Sequence, residues 1–244
     1  MSHTKIQWTN ETLNIVTGCT KISEGCVNCY AEIMHRRLTA MGQEKYSEPF
    51  HTVCFNLEEL FKIEKWKKPR MVFVNSMSDT FHDKIYDCEL NYMFQSFGEA
   101  SKHTFQILTK RPQRALEYFK KIQTKFPDTF PNLMQNIWLG VTVENNKEAW
   151  RIETLKEIPA KTRFLSIEPL LEDMKQLDLS NIDWVIVGCE SGAKKRECKP
   201  EWIFNIILQC KAQNVPVFVK QVNINGKVLK ENLPENYNFR EFPI

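Results

Sequence analysis

The chain has 244 residues, a formal net charge of +3 and 42% apolar residues. That length and apolar content suffice to bury a full core and suit one α/β domain, and 8 glycines with 11 prolines exclude low-complexity or collagen-like structure. The slight positive charge permits a nucleic-acid partner without demanding one. No run reaches the roughly 18 apolar residues of a membrane span, and residues 1–8 lack the apolar segment of a signal peptide. The expected location is cytoplasmic, with no membrane partner. There, eight cysteines are free, metal-bound or catalytic rather than disulfide-bonded.

Short β-branched and aromatic runs predict strands over 13–17, 52–55, 71–75, 104–108, 137–143, 163–167, 184–187 and 215–219. Between them, apolar residues at three- and four-residue spacing predict helices over 31–41, 57–63, 90–100, 114–126, 147–156 and 201–212. Pro112 and Pro200 fall near helix starts, where proline is tolerated. Repeated βα units imply a parallel sheet, and no glycine-rich dinucleotide fingerprint follows the first strand. The expectation is a single domain over 1–244 folded as a parallel (β/α) barrel, TIM-like, full or partial. The tail over 222–244 reads as irregular.

In such a fold the site forms at the C-terminal ends of the strands. The residues there are unusually polar: Asn75 to Asp79, Thr109 to Arg111, Glu144 and Asn145, Glu168, Cys189 and Glu190, and Lys220 with Gln221. Strand ends are where solvent begins, which accounts for any one of these. Glu168 stands between apolar runs, so a partner is expected for it, Lys110 or Lys220.

The strongest local signal is Cys19, Cys26 and Cys29, spaced C-x6-C-x2-C in a loop over 18–30 between the first strand and the first helix. Three soft thiolates in one loop can hold iron or zinc. A [4Fe–4S] cluster usually takes four cysteines, so three would leave one iron open to a small ligand. Structural zinc wants four ligands, with His35 as the available fourth, although it would sit nearly two helical turns along. Unligated core cysteines are the remaining alternative. Cys54, Cys88 and Cys210 read as core or helix-face residues, Cys198 as a loop residue, and Cys189 as a rim thiol. A hydrolase using Asp79, Glu144, Glu168 and Glu190 around a divalent metal is a further reading of the same rim.

The opening Lys5-Ile6-Gln7-Trp8-Thr9, then Gly18-Cys19-Thr20-Lys21, Val74-Asn75-Ser76-Met77-Ser78-Asp79, Leu108-Thr109-Lys110-Arg111-Pro112, Ser166-Ile167-Glu168-Pro169 and Glu190-Ser191-Gly192 resemble, in order over 5–221, a three-cysteine-motif family of phages and prophages. That family is related to radical S-adenosylmethionine barrels, and the layout is similar to spore photoproduct lyase and its relatives. The spacing departs from the common radical motif, with six rather than three residues between the first two cysteines.

The resemblance implies that Cys19, Cys26 and Cys29 hold a [4Fe–4S] cluster. The cluster, fed by an external electron donor, would cleave S-adenosylmethionine to a 5′-deoxyadenosyl radical. Tyr30, in the ending that closes the cluster motif, would join the cofactor-binding residues; Ser76, Ser78 and Asp79 would face the methionine ammonium, Lys110 its carboxylate, and Glu144 and Asn145 the ribose. Glu168, Glu190 and Lys220 are left for substrate. Cys189, where glycine is expected, is a candidate hydrogen-atom donor. The phage context implies DNA or a modified nucleotide as substrate. Lys65, Lys67, Lys68, Arg70, Lys110, Arg111 and Arg114 are available for phosphates, and Trp66 and Trp138 for stacking. The alternative is a zinc- or cluster-binding phage accessory protein that binds nucleic acid.

Overall fold

In the computed structural model of the chain, residues 4–192 and 194–243 are described. The strands are β1 (Glu11–Leu13), β2 (Val16–Thr17), β3 (Cys54–Phe55), β4 (Met71–Val74), β5 (Thr104–Thr109), β6 (Ile137–Thr142), β7 (Thr162–Ile167), β8 (Trp184–Gly188), β9 (Val217–Ile224) and β10 (Lys227–Leu229). The helices are α1 (Tyr30–Ala40), α2 (Asp87–Glu99), α3 (Pro112–Lys125), α4 (Phe130–Met134), α5 (Trp150–Lys156) and α6 (Pro200–Ala212). Tighter 3₁₀ turns include Leu57–Lys65, where a regular helix was expected. Pro112 and Pro200 both sit in the first turn of their helices.

Eight strands form one sheet in the order β1-β4-β5-β6-β7-β8-β9-β10, and β2 and β3 pair apart as an antiparallel ribbon. The expected first strand is thus broken in two. Its second half leaves the sheet because Asn75, at φ 54°, takes the Val16 N–H on its Oδ1 at 2.8 Å. From β1 to β9 every pairing in the large sheet is parallel, and only the β9–β10 hairpin is antiparallel. That hairpin corrects the expectation of an irregular tail. Its turn uses Asn225 and Gly226, both at positive φ, as a tight hairpin requires.

Strictly sequential order without a reversal puts right-handed crossovers on one side of the sheet. The side chains agree. Val72, Val74, Phe105, Ile107, Leu139, Val141, Leu165, Ile167, Val185, Val187, Val217 and Val219 form one core with apolar residues of α2, α3, α5 and α6. The alternate positions Phe73, Phe164, Trp184, Ile186 and Phe218 form a second, aromatic cluster around Trp8, with Leu108 and Trp138 packed on it. A flat sheet would hold β4 and β8 roughly 19 Å apart, four strand spacings. Yet the Trp8 ring lies 4.6 Å from Phe73 of β4 and 6.2 Å from Trp184 of β8. The sheet is therefore rolled around Trp8.

The roll is not a closed barrel. Among the described residues β1 has β4 as its single strand neighbour, and the sheet ends on β10. The gap is crossed by a hydrogen bond from Gln7 to the Lys230 carbonyl rather than by a strand pair. No helix among the described residues is long and apolar enough to cross a membrane.

Gly140 of β6 lies against the ring of Phe164, which a Cβ would meet at 2.5 Å. A Gly140→Val substitution should lower unfolding free energy by about 1–3 kcal/mol through overpacking. Chemical denaturation measures this, and an unchanged midpoint would contradict the close packing of Gly140 on the Phe164 ring across β6 and β7.

Candidate functional site

The period-two alternation that points Phe73, Leu108, Phe164 and Phe218 inward carries on past the strand ends. It delivers Asn75, Lys110, Glu168 and Lys220 to the C-terminal mouth of the roll. The loop over 18–30 crosses that mouth. Its first residue, Gly18, has φ +78°, and a Cβ there would lie 2.0 Å from the Thr52 carbonyl, so this position requires glycine. Cys19 then donates its N–H to the Phe50 carbonyl at 2.8 Å.

Cys19, Cys26 and Cys29 are all half-buried and line one cavity of about 120 Å³. Tyr30, Ser76, Ser78, Asp79, Lys110 and Arg111 share its wall. Burial and the nearby Asp79 carboxylate push the Cys19 thiol up to about 11, against the opposing pull of Arg111. Burial acts the same way on Cys26, but the Lys110 charge and hydrogen bonds around Ser23 outweigh it and hold that thiol below its ordinary value. Among the described residues, no three His, Cys, Asp or Glu side chains are gathered closely enough to hold a single metal ion.

Three carboxylate–arginine pairs hold the loop. Asp79 meets Arg111 at 3.1 Å and accepts from the Thr109 hydroxyl at 2.7 Å and the Lys110 N–H at 3.0 Å. Arg111 donates onward to the Thr20 carbonyl at 3.2 Å and its hydroxyl at 3.0 Å. Glu144, fully buried, meets Arg151 at 2.9 Å and accepts from the Ser23 hydroxyl and, at 3.2 Å, from the Gly25 N–H. Glu190 meets Arg196 at 2.5 Å and accepts from the Asn28 amide at 3.0 Å, while Arg196 donates to the Glu24 carbonyl at 2.9 Å. Burial raises the Glu190 carboxyl, but Arg196 and Asn28 more than compensate and hold it below the usual range.

The structure thus divides the candidates. Tyr30, Ser76, Ser78, Asp79 and Lys110 stand with the cysteines. Among them Asp79 is engaged by Arg111, Ser76 donates to Asn14 at 3.0 Å, and Ser78 donates to the Val16 carbonyl at 2.7 Å. The Tyr30 hydroxyl donates to the Ser76 carbonyl. Glu144 and Asn145 lie behind the loop, not in the cavity; Asn145 accepts the Glu148 N–H at 3.2 Å and so caps a short turn. Glu168 pairs with Lys220 at 2.5 Å, as its position between apolar runs suggested, and both are partly exposed. Glu190 braces the loop. Cys189, 1% exposed, is buried rather than on the rim, and Cys198 is buried as well.

Several other candidates are occupied or distant. The His35 Nε2 is hydrogen-bonded with the Glu48 carbonyl at 2.8 Å, and its ring packs behind Tyr46 and the cavity-lining Phe50 without itself lining the cavity. Lys65, Lys67, Lys68 and Arg70 precede β4 and so lie at the opposite end of the sheet from the cysteines. Arg114 meets Asp87 and the Ile85 carbonyl. Trp66 packs on His103 and Arg70, and Trp138 on Trp184. Among the braces, Ser23 and Asn28 act through Glu144 and Glu190 far along the chain, whereas Arg151 and Arg196 pair with those same carboxylates from only seven and six residues away, and the sequence reading overlooked both arginines.

A family model described as "Protein of unknown function (DUF5131)" matches residues 3–236, and the chain belongs to that family. No curated protein and no solved structure matches it.

Arg151→Met strands the Glu144 charge and should cost about 3–5 kcal/mol. Replacing both Glu144 and Arg151 by apolar residues should cost less, and denaturation of the pair of variants checks the order. For Glu190 the folded carboxyl is depressed, so its contribution is complete above about pH 4.5, its ordinary value, and is lost as pH falls through the lowered one. Arg196→Gln should therefore flatten the acid limb of a stability–pH profile, whereas an unaltered limb would contradict this brace.

Proposed function

We propose that this chain, a member of a family of unknown function, is an iron–sulfur enzyme that binds a [4Fe–4S] cluster through Cys19, Cys26 and Cys29 and uses it with S-adenosylmethionine. The observation that carries the reading is that three thiols from one braced loop line a single cavity at the C-terminal mouth of a parallel sheet. Among the described residues no fourth cysteine and no histidine joins them there.

The donor set fits a cluster better than a lone ion. Zinc draws all four ligands to about 2.0–2.3 Å of one point. In an iron–sulfur cube each cysteine meets a different iron, so thiols that share a wall without converging suit it. His35, the residue a zinc site would need, is committed to Glu48. The cavity of about 120 Å³ lies below the 300–1,000 Å³ of ordinary small-molecule sites, so a cofactor larger than the cluster has to rest against the rim outside it. When bound, the cluster supplies one electron to the sulfonium of S-adenosylmethionine and so makes the cofactor an agent of hydrogen abstraction.

The chain's own part is positioning and charge. Lys110 reaches the cavity with no ion-pair partner among the described residues, and it suits the cofactor carboxylate. The Ser76 and Ser78 hydroxyls can each still accept a hydrogen bond from an ammonium. Asp79, already bound to Arg111, acts behind them rather than on the cofactor. Glu144 and Asn145 hold the loop, so the ribose needs other partners. Glu168 and Lys220 form the charged pair open to substrate at the mouth. A rolled sheet packed with Trp8, Phe164 and Trp184 leaves no passage through the roll, and chemistry is confined to its rim.

Anaerobic reconstitution with iron and sulfide should give brown protein with about four irons per chain. Cys26→Ala should lose most of that iron. Dithionite-reduced wild type should release 5′-deoxyadenosine from S-adenosylmethionine, and Lys110→Ala should weaken cofactor binding roughly tenfold, consistent with loss of a charged contact. A colourless wild-type protein, or a loaded protein that releases no 5′-deoxyadenosine, would overturn the proposal.

A further inference from the structure

Arg111 is a cation of the cavity wall hydrogen-bonded to a cysteine sulfur, and it has no partner role in holding the cluster or the cofactor carboxylate. It is 9% exposed and lies directly after β5 at the helix start. Its Nη1 stands 3.9 Å from the Cys19 Sγ, within the range of an N–H···S hydrogen bond. The same nitrogen meets Asp79 Oδ2 at 3.1 Å, and Nη2 donates twice to Thr20. The guanidinium is therefore fixed at four points and cannot turn away from the sulfur. Asp79 is fixed in turn by the Thr109 hydroxyl and by the N–H groups of Phe81 and Lys110.

We propose that the Asp79–Arg111 pair sets the reduction potential of the cluster held by Cys19, with Arg111 raising it and Asp79 holding that rise in check. The proposal rests on the cluster reading above. Reduction adds one electron, delivered by an external donor such as dithionite, and no atom is transferred. The added negative charge is stabilised by a donor N–H and a positive charge at a ligating sulfur, and opposed by a carboxylate a few ångströms further off. Both act at low solvent exposure, where screening is weak. The two side chains thus act with opposite sign on one quantity while contributing to the same brace.

That opposition separates tuning from scaffolding. Damage to a scaffold lowers iron content in either variant, whereas tuning moves the midpoint in opposite directions. The experiment is an EPR-monitored potentiometric titration of reconstituted protein without S-adenosylmethionine, with iron counted in each sample. Arg111→Gln should make reduction harder by about tenfold in equilibrium constant, near 59 mV for one electron. Arg111→Lys, which keeps the charge and loses the fork, should fall between that variant and wild type. Asp79→Asn should shift the midpoint the other way. Equal midpoints in all loaded proteins, or shifts of the same sign in Arg111→Gln and Asp79→Asn, would overturn the inference while leaving the cluster reading intact. Should Arg111→Gln fail to load iron, the sign for Asp79→Asn against wild type decides. A wild-type chain that takes up no iron removes the reading and this inference together.

Discussion

The three carboxylate–arginine pairs under the loop over 18–30 are the constraint on which the candidate site depends. A thirteen-residue crossing with a single 3₁₀ turn, Glu24–Cys26, before it enters α1 would otherwise lose its shape to conformational entropy, at about 1–2 kcal/mol per ordered residue. Here the loop is tied at Thr20 by Arg111, at Ser23 and Gly25 by Glu144, and at Glu24 and Asn28 by Arg196 and Glu190. Each tie comes from the end of a different strand. The rolled sheet fixes those ends relative to one another, and so it fixes the three thiols. Burial makes the ties strong in one sense only, since an intact pair adds little over an apolar replacement while a broken one leaves a charge in low dielectric.

The roll itself comes from the inward aromatic layer. Small residues at Gly140 and Ser166 alternate with Phe164, Trp138 and Trp184, so large rings interdigitate instead of colliding. Trp8, from the segment before β1, plugs the centre and joins strands far apart in the sheet. The chain thereby gains a barrel-like mouth without closing a barrel. Its edge strand, β10, is only three residues long, which limits pairing with other chains.

Much of the architecture was legible in the sequence. Continuous apolar runs marked β4 to β9 because strands covered on both faces need them, and the helical spacing marked α2, α3 and α6. The polar strand ends were legible as a group, but their partners were not. Glu144 looked like a ribose ligand because a carboxylate at a strand end commonly faces the site. It faces Arg151 instead, and that contact depends on where α5 packs. Glu190 and Asp79 follow the same pattern, since a sequence shows a charge but not the guanidinium that neutralises it. Cys189 seemed a rim thiol because it follows β8, yet the register shift between Val187 and Gly188 goes with a buried position for it. Closure was illegible for a different reason: it depends on whether β1 meets the last strand, a long-range pairing no local pattern encodes.

The central claim is that the loop is rigid before any cofactor arrives, and hydrogen exchange on the unloaded protein tests it most directly. The account predicts that the hydrogen-bonded amides of Cys19, Gly25, Cys26 and Val27 exchange slowly for a loop, and that Glu190→Gln, cutting a single brace, speeds exchange at Cys26 and Val27 while the strands stay protected. Fast exchange across that segment in the unaltered chain, at the rate of an unstructured peptide, would contradict it.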